Sequence, residues 1–145
     1  MNNPTVSVLI ANYNNEIFIP ECINSIRKQT YKNIEIIFFD DCSKDNSIEK
    51  IKNFEEVKII QNKIKTKIGS FNQMKAFEET YKLSNGKIIF LLDSDDYLHK
   101  NKIEEVVNFF NNNKNAKIVF DYPIITKDKN FKNIKKKRKL FNTLW

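Results

Sequence analysis

The chain has 145 residues, 41% hydrophobic and 30% charged, with only two Gly and three Pro, a balance that fits one globular domain and excludes disordered, collagenous and low-complexity classes. No apolar run approaches the roughly 18 residues of a membrane span, and Met1-Asn2-Asn3-Pro4-Thr5 does not open a secretory signal, so the expected location is the cytoplasm. The net charge of +7 lies wholly in the tail: residues 1–122 carry 17 basic and 17 acidic side chains, whereas residues 123–145 carry eight basic and one acidic.

The elements alternate. Val6-Ser7-Val8-Leu9-Ile10-Ala11 is a β-branched apolar run that reads as a buried strand, ended by the turn formers Asn12-Tyr13-Asn14-Asn15. Pro20 suits a first helical turn, and Ile19, Cys22, Ile23 and Ile26 recur at helical spacing to about Gln29. Ile34 to Phe39 is a second strand, ending at Asp40-Asp41. Cys42 to Asn46 is a loop with helix-capping residues, and Ile48 and Ile51 mark a short helix. Val57 to Ile60 is a third strand. Gly69 to Tyr81 is a helix with Met74, Phe77 and Tyr81 on one face, closed by Asn85-Gly86 with Gly86 suited to a left-handed position. Lys87 to Leu92, the most apolar strand, is expected at the sheet centre and runs into Asp93-Ser94-Asp95-Asp96. Ile103, Val106, Val107 and Phe110 mark a further helix, and Lys117 to Phe120 a fifth strand.

Strands separated by helices of this length require right-handed crossovers and a mainly parallel sheet. The class is α/β, a three-layer α/β/α Rossmann-like arrangement over residues 1–122, with 123–145 as a basic tail. Ligands in such sheets sit outside the carboxyl ends of the strands. Those ends carry Asn12–Asn14, Asp40–Asp41 and Asp93–Asp96, so three polar clusters are expected on one edge.

Asp93, Asp95 and Asp96 repel one another, and packing does not require them there. Hard oxygen donors suit Mg²⁺ or Mn²⁺, and one or two carboxylates suffice when phosphates share the ion. The ordinary alternative is helix capping by Asp95 or Asp96. At Asp40-Asp41 a carboxylate can accept from a nucleobase N–H or a ribose hydroxyl; the alternative is a turn and cap. Tyr13 can flank a base or ribose, or be a partly buried ring. His99, four residues past Asp95, is a metal-ligand candidate that fits better at the start of a helix near Asn101. Cys22 and Cys42 lack any metal-binding spacing and read as reduced thiols.

Four motifs, in order, carry a family resemblance: Val6 to Asn14, Gln29-Thr30-Tyr31, Glu35 to Asp45, and Phe90-Leu91-Leu92-Asp93-Ser94-Asp95-Asp96-Tyr97. From Val6 to about Tyr122 the chain resembles the N-terminal, nucleotide-sugar-binding half of an inverting family 2 glycosyltransferase of the GT-A fold. The last motif contains that family's Asp-x-Asp signature. The resemblance implies a base-binding role for Asp41, commonly towards uracil, with Ala11, Asn12 and Tyr13 beside the nucleotide. It places Asp93 and Ser94 near the ribose and phosphates, Asp95 and Asp93 at the metal, and Asp96 near the donor sugar. It also implies a UDP-sugar as donor, a glycan or lipid-linked acceptor, and Mg²⁺ or Mn²⁺ as cofactor.

The sequence departs from the family pattern at several places. Ala11-Asn12 replaces a common Thr or Pro-Thr, Cys42 replaces a common Gly, and Phe71-Asn72 stands where Arg-Asn is frequent, leaving Lys67, Lys75 or tail lysines to face phosphate. After Tyr122 only 23 residues remain, and none matches the acceptor base, so the expectation is a fold truncated after the fifth strand. Apolar surface beside that strand is then a candidate for self-association or for docking of Phe141, Leu144 and Trp145. The tail from Lys127 to Lys139 is a candidate for an anionic membrane surface at the inner face, against the plainer reading of solvated coil. Nucleic acid is not expected, because the body is electroneutral and lacks a stacking platform. The competing reading is a non-catalytic nucleotide-binding or phospho-acceptor regulatory α/β domain, which would want its acidic pair after the first strand, where Asn12-Tyr13-Asn14 stands.

Overall fold

The computed structural model describes residues 3–64 and 68–120, and the backbone of 141–142. The chain divides into two compact units, Met1–Val107 and Asn108–Trp145. The first holds a four-stranded parallel sheet of β1 (Val6–Asn12), β2 (Ile34–Asp40), β3 (Val57–Gln61) and β4 (Ile88–Asp93), in the order β3-β2-β1-β4. The helices are α1 (Ile19–Arg27), α2 (Ser47–Ile51), α3 (Gly69–Lys82) and α4 (Lys102–Asn112). The α/β class, the mainly parallel sheet and the three-layer arrangement stand as the sequence predicts.

β1 lies between β2 and β4, and Val6 to Ile10 are buried without alternation, so both faces of the strand are covered. In α1, Pro20 sits in the first turn and Ile19, Cys22, Ile23 and Ile26 form the buried stripe. Each such side chain contributes about 1.5–3 kcal/mol through burial.

Four expectations are overturned. The fifth strand does not join the sheet. β5 (Val119–Phe120) belongs to the second unit and pairs antiparallel with β6 (Phe141–Asn142), Phe120 opposite Phe141. The docking expected of Phe141 beside the fifth strand is thus a backbone pairing, while Leu144, Trp145 and the basic run 127–139 lie outside the described residues. β4 is an edge strand of the described sheet, and Leu91 is 56% exposed. An apolar run reports covered faces, not lateral neighbours, so it cannot rank strands across a sheet.

The face of α3 that packs is Asn72, Ala76 and Thr80, not Met74 and Tyr81, which are 72% and 61% exposed. Small side chains allow the helix close to β1 and β2, and that proximity outranks side-chain size. Gly86 is not left-handed; no glycine has positive φ, and α3 ends at Lys82. Gly86 is needed for space: a Cβ there would stand 2.3 Å from Ser7 Oγ and 2.5 Å from Ser7 N.

Candidate functional site

Parallel register decides the site. Asn12 pairs with Asp40 on one side, and Ala11 pairs with Asp93 on the other. The strand ends at 12–14, 40–41 and 93–96 therefore share one edge of the sheet. Backbone bonds stitch that edge: Asp41 N–H donates to Asn12 O (2.9 Å), Ser94 N–H to Ala11 O (3.1 Å) and Asn62 N–H to Asp40 O (2.8 Å). Ala11 and Asn12 thus hold their neighbours through their carbonyls.

The two adjacent acids differ in their surroundings. Asp40 is buried and engaged at both oxygens: Asn12 Nδ2 donates to Oδ1 (2.9 Å) and Ser43 N–H to Oδ2 (3.0 Å). Asn12 Nδ2 also reaches Ser43 Oγ (3.1 Å), so this amide ties two loops together. Asp41 takes a bond at Oδ1 from Asn62 Nδ2 (2.7 Å), and Lys75 Nζ donates to Asn62 Oδ1 (3.1 Å). Cys42 sits at φ 59°, a left-handed conformation that favours glycine, which accounts for the Gly common at this place. Its thiol donates to Asn62 O (3.2 Å), and neither cysteine is in a disulfide. Tyr13 stands at the rim, 41% exposed.

On the β4 side, Asp93 Oδ1 accepts from Gln73 Nε2 of α3 (2.7 Å). Ser94 is fully buried, and its Oγ accepts from Asn15 Nδ2 (3.0 Å). Asp95 and Asp96 are exposed. Burial first, then the charges of Asp95 and Asp93, push the Asp96 carboxyl above its ordinary value. The Cys22 thiol is pushed up to about 12 by burial, then by Asp96, Asp95 and Asp93, so it is a neutral neighbour and no nucleophile. Helix capping does not explain these acids, because α4 begins only at Lys102. His99 lies at the approach to α4, its carbonyl accepting from Lys102 N–H (2.8 Å).

Among the described residues no group of three or more His, Cys, Asp or Glu side chains forms a metal cage. Mg²⁺ shared with a diphosphate needs only one or two carboxylates. The exposed Asp95, beside Asp93 and Asp96, fits that demand as a hard oxygen donor.

Three polar residues at this edge were not singled out from the sequence. Asn62 follows β3, whose carboxyl end is the fourth polar strand end and was the available signal. Gln73 carries no local signal and Asn15 reads only as a turn former, because the relevance of both depends on where α3 and the β1 loop come to lie. Of the lysines considered for a phosphate, Lys75 is directed to Asn62, and Lys67 lies outside the described residues.

The family model described as Glycosyl transferase family 2 matches residues 7–144. An Escherichia coli protein named UDP-Glc:alpha-D-GlcNAc-diphosphoundecaprenol beta-1,3-glucosyltransferase WfaP is 36% identical over 129 residues, covering 87% of this chain and 48% of that protein. Among solved structures, Staphylococcus aureus TarS 1–349 in complex with UDP matches with TM-score 0.65 and 25% identity, over 74% of this chain and 32% of that one. A Pyrobaculum calidifontis mannosyltransferase in complex with GDP-Man and Mn2+ shares the fold, with TM-score 0.63 and 18% identity over 76% of this chain and 33% of that one. The chain spans less than half the length of these relatives.

Proposed function

The chain belongs to glycosyl transferase family 2, and from that premise we propose that it forms the donor-binding part of an enzyme that moves a sugar from a UDP-sugar to a hydroxyl of a glycan or lipid-linked acceptor, with inversion. The observation that carries the reading is the register that places Asp41 and Asp93–Asp96 on one sheet edge, with Tyr13 at its rim. UDP as the nucleotude class follows the UDP named for the TarS complex and the UDP-Glc named for the Escherichia coli relative.

In this reading Asp41 accepts the uracil N3–H, its carboxylate oriented by Asn62. Tyr13 flanks the base or ribose from the rim. Asp93, held by Gln73, and the buried Ser94 line the approach to the ribose and diphosphate. Asp95 and Asp93 would hold Mg²⁺ or Mn²⁺, which would supply positive charge for a diphosphate leaving group. Asp96 sits near the donor sugar, its pKa raised by burial and then by the charges of Asp95 and Asp93. The acceptor oxygen bonds to the anomeric carbon from the face opposite the diphosphate as the bond to phosphate breaks. The acceptor proton passes to a base that no described residue supplies. Among the described residues no helix is long and apolar enough to cross a membrane.

Calorimetry with UDP, with and without Mn²⁺, tests the assignment. Asp95→Ala should abolish the Mn²⁺-dependent part of binding, and Asp41→Ala should weaken UDP with that part retained. Equal binding by both variants and the unsubstituted chain refutes the reading.

A further inference from the structure

Gln29-Thr30-Tyr31 has no part in the donor chemistry above, yet its surroundings are unusually polar for a buried place. Gln29 is 0% exposed. Its Nε2 donates to Ser25 O (3.1 Å) and His99 O (2.8 Å), and its Oε1 accepts from Ile103 N–H (3.0 Å). His99 lies on the stretch between the acidic cluster and α4, and Ile103 lies in the first turn of α4. The same stretch is held twice more. Ser25 Oγ accepts from Leu98 N–H (3.0 Å) and donates to Cys22 O (2.7 Å). Thr30 N–H donates to Lys100 O (2.9 Å), and the Thr30 hydroxyl donates to Glu104 Oε2 (2.7 Å). The Tyr31 hydroxyl donates to the Pro4 carbonyl, tying this corner to the start of β1.

The other end of the stretch is also fixed, by Asn15 Nδ2 on Ser94 Oγ (3.0 Å) and by the weak contact of Cys22 Sγ with Asp93 O (3.9 Å). Asp95 and Asp96 therefore lie on a short arc between two sets of anchors, both provided by α1 and the residues flanking it. Left unanchored, an arc with exposed, mutually repelling carboxylates would splay.

We propose that Gln29, assisted by Ser25 and Thr30, is a positioning residue of the donor site: by pinning residues 98–104 to the end of α1 it sets where Asp95 and Asp96 present their carboxylates. The inference rests on the nucleotide-diphosphate reading of that site. A side-chain amide suits the task. Two carbonyl oxygens must be met by a donor and one N–H by an acceptor, and Gln supplies both from one group. A carboxylate at this place would set its lone pairs against those carbonyls. An apolar side chain of similar length would leave the buried groups unpaired.

The test uses the full chain and two variants. Gln29→Met keeps the volume and removes the bonds. Ser25→Ala removes the bond from Leu98 N–H, along with the local one to Cys22 O, with little loss of packing, and remains informative should Gln29→Met not fold. Hydrogen exchange read by mass spectrometry is expected to quicken over residues 94–104 in either variant, with β1 and β2 staying protected. Calorimetry with UDP is expected to show the Mn²⁺-dependent gain in affinity reduced roughly tenfold, as for partners that orient metal-binding residues, with metal-free UDP binding unchanged. Unchanged exchange over 94–104 in the folded variants overturns the proposal. So does faster exchange with the Mn²⁺-dependent gain intact, since Gln29 would then be structural alone. Failure of the unsubstituted chain to bind UDP sinks the donor-site reading instead, and the exchange measurement by itself still decides whether Gln29 pins the stretch.

Discussion

At the scale of single residues, the adjacent acids Asp40 and Asp41 show how position overrides chemical type. Asp40 is engaged at both oxygens by Asn12 and Ser43 and serves the frame, while Asp41, also buried, accepts at Oδ1 from Asn62 of the β3 end. The sequence offers two adjacent candidates, and the choice of Asp41 comes from the family resemblance; Asp40 has both oxygens engaged within the frame. Gly86 teaches the complementary lesson. Its place after α3 invited a backbone explanation, yet the constraint is a neighbour from β1 that sequence spacing cannot reveal. Gly86→Ala should cost about 1–3 kcal/mol, the usual range for forcing a methyl into a packed place. Ser7→Ala in the same chain should not restore the loss, because Ser7 N remains 2.5 Å from the added carbon. Urea unfolding of the single and double variants checks this, and recovery by Ser7→Ala would show that only the hydroxyl was in the way.

At the scale of elements, β2 is joined to its neighbours by one carboxylate at its start. Glu35 Oε1 accepts from Ser7 Oγ (2.6 Å) and Asn85 N–H (2.6 Å), and its Oε2 meets Lys58 Nζ (2.9 Å). Burial acts to raise its pKa, but the hydrogen bonds from Ser7, Asn85 and Lys58 outweigh burial and bring it from 4.5 to about 2. A carboxyl whose pKa is lowered by folding contributes stability that is fully present above its unfolded value and is lost as pH falls through the folded one. The chain should therefore lose stability between about pH 4.5 and 2 more steeply than its Glu35→Gln variant. Denaturant melts at pH 7, 4 and 3 read the difference, and parallel curves would remove Glu35 from the account. The buried face of α3 belongs to this scale too. Helical periodicity identified a helix, but apolar size pointed to the wrong face, because closeness to β1 and β2 favoured Ala76 and Thr80.

At the scale of the whole molecule, the described residues bring three polar strand ends to one sheet edge, the proposed donor site, and supply no matched acceptor base among them. The chain spans 48% of the Escherichia coli glucosyltransferase it matches. This chain by itself is expected to bind a UDP-sugar and to transfer it slowly, with hydrolysis by water as the residual reaction. A general base contributes typically about 10²–10⁴-fold, and acceptor positioning adds more. A turnover assay with a panel of donors and acceptors decides, and rapid transfer would mean that a residue of this chain supplies the base. The anionic membrane surface concerns the run 127–139, which lies outside the described residues, whereas self-association concerns apolar surface beside β5, where Phe120 is exposed.

What the sequence determined by itself was the alternation of elements, the α/β class and the three polar strand ends, because each is a local pattern of apolar period and turn residues. Only tertiary structure decided which of those ends meet, since parallel register couples residues about 28 apart along the chain, such as Asn12 and Asp40. It also decided that β4 lies at an edge, that β5 leaves the sheet for β6, and that Gln29 reaches the stretch beyond the acids. Lateral strand order and long-range hydrogen bonds depend on where distant segments come to rest, and no local period records that.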